Sequence, residues 1–127
     1  MRLSRFAAAF AALLVVIFAH AEVTPAHAQA ACSGLRAEFN KKARPGFLRV
    51  VKRNRDVAAY FRNELRRAKS GDRPTRAEIR KAYSKTRGAC RNGACKRGAK
   101  AVYGATLRLY TFNRRWKNAG CPGYLSS

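Results

Sequence analysis

The pattern that most limits what this chain can fold into is the stretch Gly88 to Cys121, GACRNGACKRGAKAVYGATLRLYTFNRRWKNAGC, which sets three of the four cysteines around the longest helical repeat. From Cys95, residues Ala99, Val102, Thr106, Leu109 and Trp116 recur at steps of three, four or seven. Tyr103, Tyr110 and Phe112 flank them, so one broad face of a helix is apolar. Arg108, Arg114, Arg115 and Lys117 fall mostly on the other side, and Ala119-Gly120 supplies a glycine stop. A helix from Cys95 to about Asn118 is about 35 Å long at ~1.5 Å per residue, whereas bridged Cα atoms lie within about 7 Å. Cys121 is therefore out of reach of Cys95, and of Cys90 beside it, unless the helix folds back at Gly104. Helices of alternating direction bring Cys32 and Cys121 to one end instead. The expected bridges are Cys32 with Cys121 and Cys90 with Cys95, the second closing the Arg91-Asn92-Gly93-Ala94 turn.

Disulfides need an oxidising compartment, and the N-terminus has the form of an export signal. Met1 to Arg5 is a short basic region, Phe6 to Phe18 is an apolar run too short for a membrane anchor, and a small-residue zone follows. Cleavage is expected after Ala28 (A-H-A) or Ala30 (A-Q-A), with residues 1–28 as the signal and 29–127 as one domain. Removal takes away Arg2, Arg5 and Glu22, so the net charge of +22 hardly changes. Both histidines, His20 and His27, also leave. Without imidazole, and with a Cys90-x4-Cys95 spacing unlike a zinc knuckle or a haem attachment motif, no metal or cofactor is expected.

The remaining chain is all-α by pattern, with no alternating run suited to a strand. From Cys32, Leu35, Phe39 and Ala43 share one helical face, with Ser33 as the expected N-cap and Arg44-Pro45-Gly46 as the break. A second helix is expected from about Phe47 to Lys69. Its apolar positions Phe47, Val50, Val51, Val57, Ala58, Phe61, Leu65 and Ala68 make a narrow stripe in an otherwise cationic circumference. Ser70 to Pro74 is a turn, and Thr75-Arg-Ala-Glu78 has the form of a capping box. The third helix presents Ile79, Ala82, Tyr83 and Thr86 inward and stops before Gly88. The expectation is a small four-helix up-and-down bundle, two helices long (the second and last) and two short, stapled by two disulfides.

Catalysis has little to work with. Glu22 leaves with the signal, and each remaining carboxylate has a structural use: Glu38 can pair with Lys42, Glu64 with Arg67 and Glu78 with Lys81, Asp72 sits in a turn, and Asp56 lies among cations. No two form a general acid and base pair. An enzyme is not expected. The alternative in that class is a small hydrolase using one glutamate, Glu38 or Glu64.

Charge is the strongest signal left. A solvated exterior needs only mixed charges, whereas 28 Lys and Arg against 6 Asp and Glu costs stability by self-repulsion and recruits polyanions. Arginine, which outnumbers lysine, suits two-pronged contact with phosphate or carboxylate. The expected binding residues are Arg62, Arg66 and Arg67 on the second helix and Arg108, Arg114, Arg115 and Lys117 on the last. Leu109, Phe112 and Trp116 belong to the core stripe. Tyr103 and Tyr110 are expected to be exposed, and Trp116, near a helix end, partly wet. The sequence thus points to an exported binding protein, periplasmic or extracellular, for an anionic polymer or anionic membrane surface: lipopolysaccharide or phospholipid headgroups, nucleic acid or acidic glycan. The alternative from another class is a secreted, membrane-active cationic toxin.

Overall fold

A computed structural model of the chain describes residues 25–126. The export segment expected over residues 1–28 therefore lies outside the described residues except for its last four. The described residues form α1 (Pro25–Glu38), a π-helical turn (Phe39–Ala43), α2 (Arg44–Arg53), α3 (Arg55–Ala68), α4 (Arg76–Ala89) and α5 (Gly93–Asn118), with no strand among them. α1, the π-turn and α2 run on without interruption, so the bundle has four helical rods, two long and two short.

The long rods are the first and the last, not the second and the last. Pro45 was expected to break the chain, because it lacks an N–H and its ring crowds the preceding turn. The π-turn just before it removes the conflict: the Arg44 N–H donates to Phe39 O, one residue further back than in an α-helix, and Pro45 then sits in the first turn of α2, where no N–H is required. Ser33 consequently lies inside α1 rather than capping it. The break falls at Asn54 instead, whose φ of −130° and ψ of 48° leave the helical region. Its Nδ2 donates to Val50 O at 2.9 Å and closes the last turn of α2. Opposite stands Gly98 of α5: a Cβ there would lie 2.7 Å from Asn54 Oδ1. A glycine thus lets the corner between α2 and α3 seat directly on α5.

The capping box expected at Thr75 and the glycine stop expected at Gly120 both form, and Asn92 adds a cap that was not expected. Thr75 Oγ1 accepts from the Glu78 N–H at 3.2 Å and the Glu78 carboxylate accepts from the Thr75 N–H at 2.9 Å. Asn92 Oδ1 accepts from the Cys95 N–H and starts α5. At its other end Gly120, at φ +76°, donates to Lys117 O, and the Cys121 N–H donates to Trp116 O, a Schellman stop. That reversal turns Cys121 back onto the bundle, where it bridges Cys32 with Cα atoms 5.7 Å apart. Cys90 bridges Cys95 at 5.4 Å. Both expected pairings are present, and α5 is continuous through Gly104.

Two apolar clusters fill the interior. One joins Phe39 and Ala43 to Trp116, Cys121 and Leu125 around the long bridge; the other joins Ala58 and Phe61 to Ile79, Ala82 and Val102. Trp116 is not partly wet: it is 2% exposed, lies under the Arg36 guanidinium, and its Nε1–H donates to Pro122 O at 3.1 Å. Tyr103 is half-buried and stacks on Tyr83 with ring centroids 4.4 Å apart, and Tyr110 is half-buried against the second cluster, so neither is freely exposed.

Candidate functional site

The long rods run antiparallel, since Phe39 meets Trp116 near one end of α5 and Asn54 meets Gly98 near the other. Between α2 and α3 on one side and α5 on the other they leave a groove of about 570 Å³, within the ~300–1,000 Å³ range of small-molecule sites. Its floor is apolar: Phe47, Val51, Phe61, Leu65, Val102 and Leu109 contribute, several only half-buried. The narrow stripe on the second helix is therefore wider than the core uses, and the surplus lines this groove.

Two irregular segments flank one end. The tail after Cys121 is fastened by Asn113, whose Oδ1 accepts from the Leu125 N–H at 2.8 Å and whose Nδ2 donates to Leu125 O at 3.1 Å. From the turn between α3 and α4, the Arg73 guanidinium lies over the Tyr124 ring, 4.0 Å from its centroid. Arg73, Pro74, Tyr124 and Leu125 all line the groove.

Every charged residue of the lining is a cation: Arg62, Arg73, Arg114 and Lys117. Three of these were expected from sequence, and the fold brings them from two helices to one rim. The other expected residues lie elsewhere. Arg66 is exposed on α3, outside the lining. Arg67 donates to Glu64 Oε1 at 3.1 Å. Arg115 approaches Glu38 Oε2 at 3.7 Å, and Arg108, seven residues or about two turns earlier, shares its side of α5, away from the groove. Arg73 escaped the sequence reading because it sits in a turn, with no helical periodicity to assign it a face.

Three of the carboxylates, all glutamates, are occupied structurally. Glu64 is 5% exposed and joins α3 to α4 by reaching Arg67 and, at 3.9 Å, Lys85 Nζ. Glu38 pairs with Arg115 rather than Lys42, because Lys42 falls in the π-turn, where the usual four-residue spacing no longer aligns side chains. Glu78 is held below the ordinary carboxylate range, first by the Thr75 N–H and then by the N–H and hydroxyl of Ser70. None of the three lines the groove. Leu109, Phe112 and Trp116 pack inward, so the aromatic segment of α5 is part of the core. Among the described residues no helix is long and apolar enough to cross a membrane, and no three His, Cys, Asp or Glu side chains converge as metal ligands would. The paired cysteines place the folded chain in a non-reducing, exported environment. Compared with protein-family models, with curated proteins and with solved structures, the chain has no match.

Proposed function

We propose that this is an exported binding protein, of the periplasm or the cell exterior, that holds anionic partners on the groove rim. One observation carries the proposal: Arg62, Arg73, Arg114 and Lys117, from two helices and a turn, all line one groove whose lining contains no carboxylate. Among the described residues the ion pairs consume Arg67, Lys85 and Arg115 and leave all four rim cations out. Cations so placed act together on one phosphate-bearing group, at strengths that scattered surface charges do not reach. Export by cleavage after Ala28 or Ala30 fits the same picture, because Phe39 is the first residue of either buried cluster and residues 26–31 are exposed apart from half-buried Ala28.

The test is co-sedimentation with vesicles of phosphatidylcholine, with and without phosphatidylglycerol, across a salt series. Binding should require the anionic lipid and fall steeply with salt, since neutralising phosphates releases condensed counterions. Arg62→Gln, Arg114→Gln and Lys117→Gln together should weaken it well beyond the effect of Arg108→Gln with Arg115→Gln. Binding that is insensitive to salt, or equal losses from the two sets, would show that the charge is only a solvated exterior.

A further inference from the structure

Resting on that anionic reading, we infer that the groove is an acyl-chain site: one phosphate-bearing lipid monomer binds with its chain on the floor and its phosphate among Arg62, Arg73, Arg114 and Lys117. Headgroup contact alone would need only the rim, yet behind the rim lies a cavity of about 570 Å³. Two of the polar side chains in its lining are bonded within the protein, which leaves Tyr110, Asn118 and Tyr124 as its other uncharged polar residues. Thr106 Oγ1 donates to Val102 O at 2.8 Å, and the Asn113 amide is engaged on both sides with Leu125. No buried side-chain nitrogen or oxygen among the described residues lacks a partner. A sugar or a nucleoside would set most of its polar groups against a lining that is mainly hydrocarbon, whereas an acyl chain loses nothing by entering and gains the transfer from water.

Charge complementarity selects the class of lipid. One guanidinium fork saturates a carboxylate's two oxygens. Three arginines and a lysine on one rim suit the larger oxygen set and charge of a phosphate, and with no acid in the lining nothing holds a cationic headgroup. The volume suits one chain and excludes a many-chained glycolipid from entering whole. Arg73 over Tyr124 ties the turn before α4 to the tail after Cys121 beside the same rim.

The experiment uses the oxidised, exported protein and three probes below their micelle concentrations: oleoyl lysophosphatidic acid, glycerol 3-phosphate as its headgroup alone, and oleoyl lysophosphatidylcholine as the same chain with a zwitterionic headgroup. Each buried methylene multiplies affinity by roughly fourfold, so even a few exceed a hundredfold. Lysophosphatidic acid should therefore bind more than a hundredfold tighter than glycerol 3-phosphate, and at least tenfold tighter than lysophosphatidylcholine. Leu65→Trp or Val51→Phe, two separate fillings of the groove checked for unchanged helicity, should bring lysophosphatidic acid down to the glycerol 3-phosphate level while salt-sensitive vesicle binding persists. If lysophosphatidic acid gains nothing over glycerol 3-phosphate while vesicle binding holds, the acyl-chain site is wrong and the anionic surface stands. If vesicle binding is absent as well, both fall. Equal affinity for the two lysolipids removes the phosphate from the site. A ligand-free dimer that lysophosphatidic acid fails to dissociate assigns the groove to a second copy of the chain.

Discussion

Two glycines of α5 should respond to the same substitution with opposite signs. Gly98→Ala and Gly104→Ala each gain helix propensity, worth about 0.8–1 kcal/mol in a helix interior. At Gly104 nothing lies within 4 Å of the new methyl, so that gain should appear nearly whole as added stability. At Gly98 the methyl would stand 2.7 Å from Asn54 Oδ1 and 3.7 Å from Val57 Cγ2. Asn54 cannot simply swing away, because its Nδ2 closes α2 on Val50 O. Losing that bond costs about 0.5–1.5 kcal/mol and overpacking about 1–3 kcal/mol, so after the propensity gain Gly98→Ala should destabilise by roughly 1–3 kcal/mol. Urea denaturation followed by the fluorescence of Trp116, the single tryptophan and a buried one, reads both. Adding Asn54→Ala to Gly98→Ala should cost less than the two singles combined, because the alanine removes the atom that clashes. Equal stabilisation by the two glycine substitutions would mean that the Asn54 corner does not touch α5, and the reasoning would fail.

The two bridges should differ in worth. With its cysteines 89 positions apart, Cys32–Cys121 stabilises by roughly 4–5 kcal/mol on the chain-entropy account, against ~2 kcal/mol for the short Cys90–Cys95 loop; paired Cys→Ser variants compared in urea should keep that order. For acid stability the sign follows from Glu78, whose folded pKa is depressed. Its contribution is fully present above the ordinary carboxylate pKa and is lost as pH falls through the lowered folded value. Thermal melts from neutral to strongly acidic pH should therefore show stability falling in that window, and Glu78→Gln should shrink the fall.

Wherever local chemistry decides, the sequence was a sufficient guide. The Thr75–Glu78 capping box, the Gly120 stop and the inward faces of α4 and α5 follow from residue type and helical spacing, and the bridges follow from a helix too long for Cys121 to reach back to Cys95. Failures came where a tertiary contact overrides a local preference. Pro45 reads as a break, but a π-turn absorbs it; Asn54 reads as one more polar helical residue, but it meets a glycine on another helix and turns the chain. The site was legible by charge and not by position. Arg62, Arg114 and Lys117 could be singled out, yet their periodicity could not separate them from Arg108 and Arg115, since that requires knowing which flank of α5 meets α2 and α3. Arg73 and Tyr124 lie in segments without a repeat, and only folding brings them together.

The excess of cations acts on the fold and on the site with opposite dependence on salt. Among the described residues the ion pairs involve only Glu38 and Glu64, so nearly all the positive charge of a chain at +22 is uncompensated within the molecule. Repulsion among unpaired surface cations is screened as the Debye length falls from about 30 Å at 0.01 M salt to about 10 Å at 0.1 M. Folding should consequently become more favourable over that range, with the midpoint rising by about 4–8 °C for each kcal/mol of repulsion removed from a domain of this size. Binding should weaken over the same range, because salt competes with counterion release. A bound anion does locally at the groove what salt does globally. Its stabilisation of the fold should thus be largest at low ionic strength and shrink as salt alone stabilises the protein. In a salt series, the gap between melts with and without lysophosphatidic acid should narrow to the salt-independent part that the buried acyl chain supplies. Curves that stay parallel would separate the ligand's site from the protein's charge and refute the link between them.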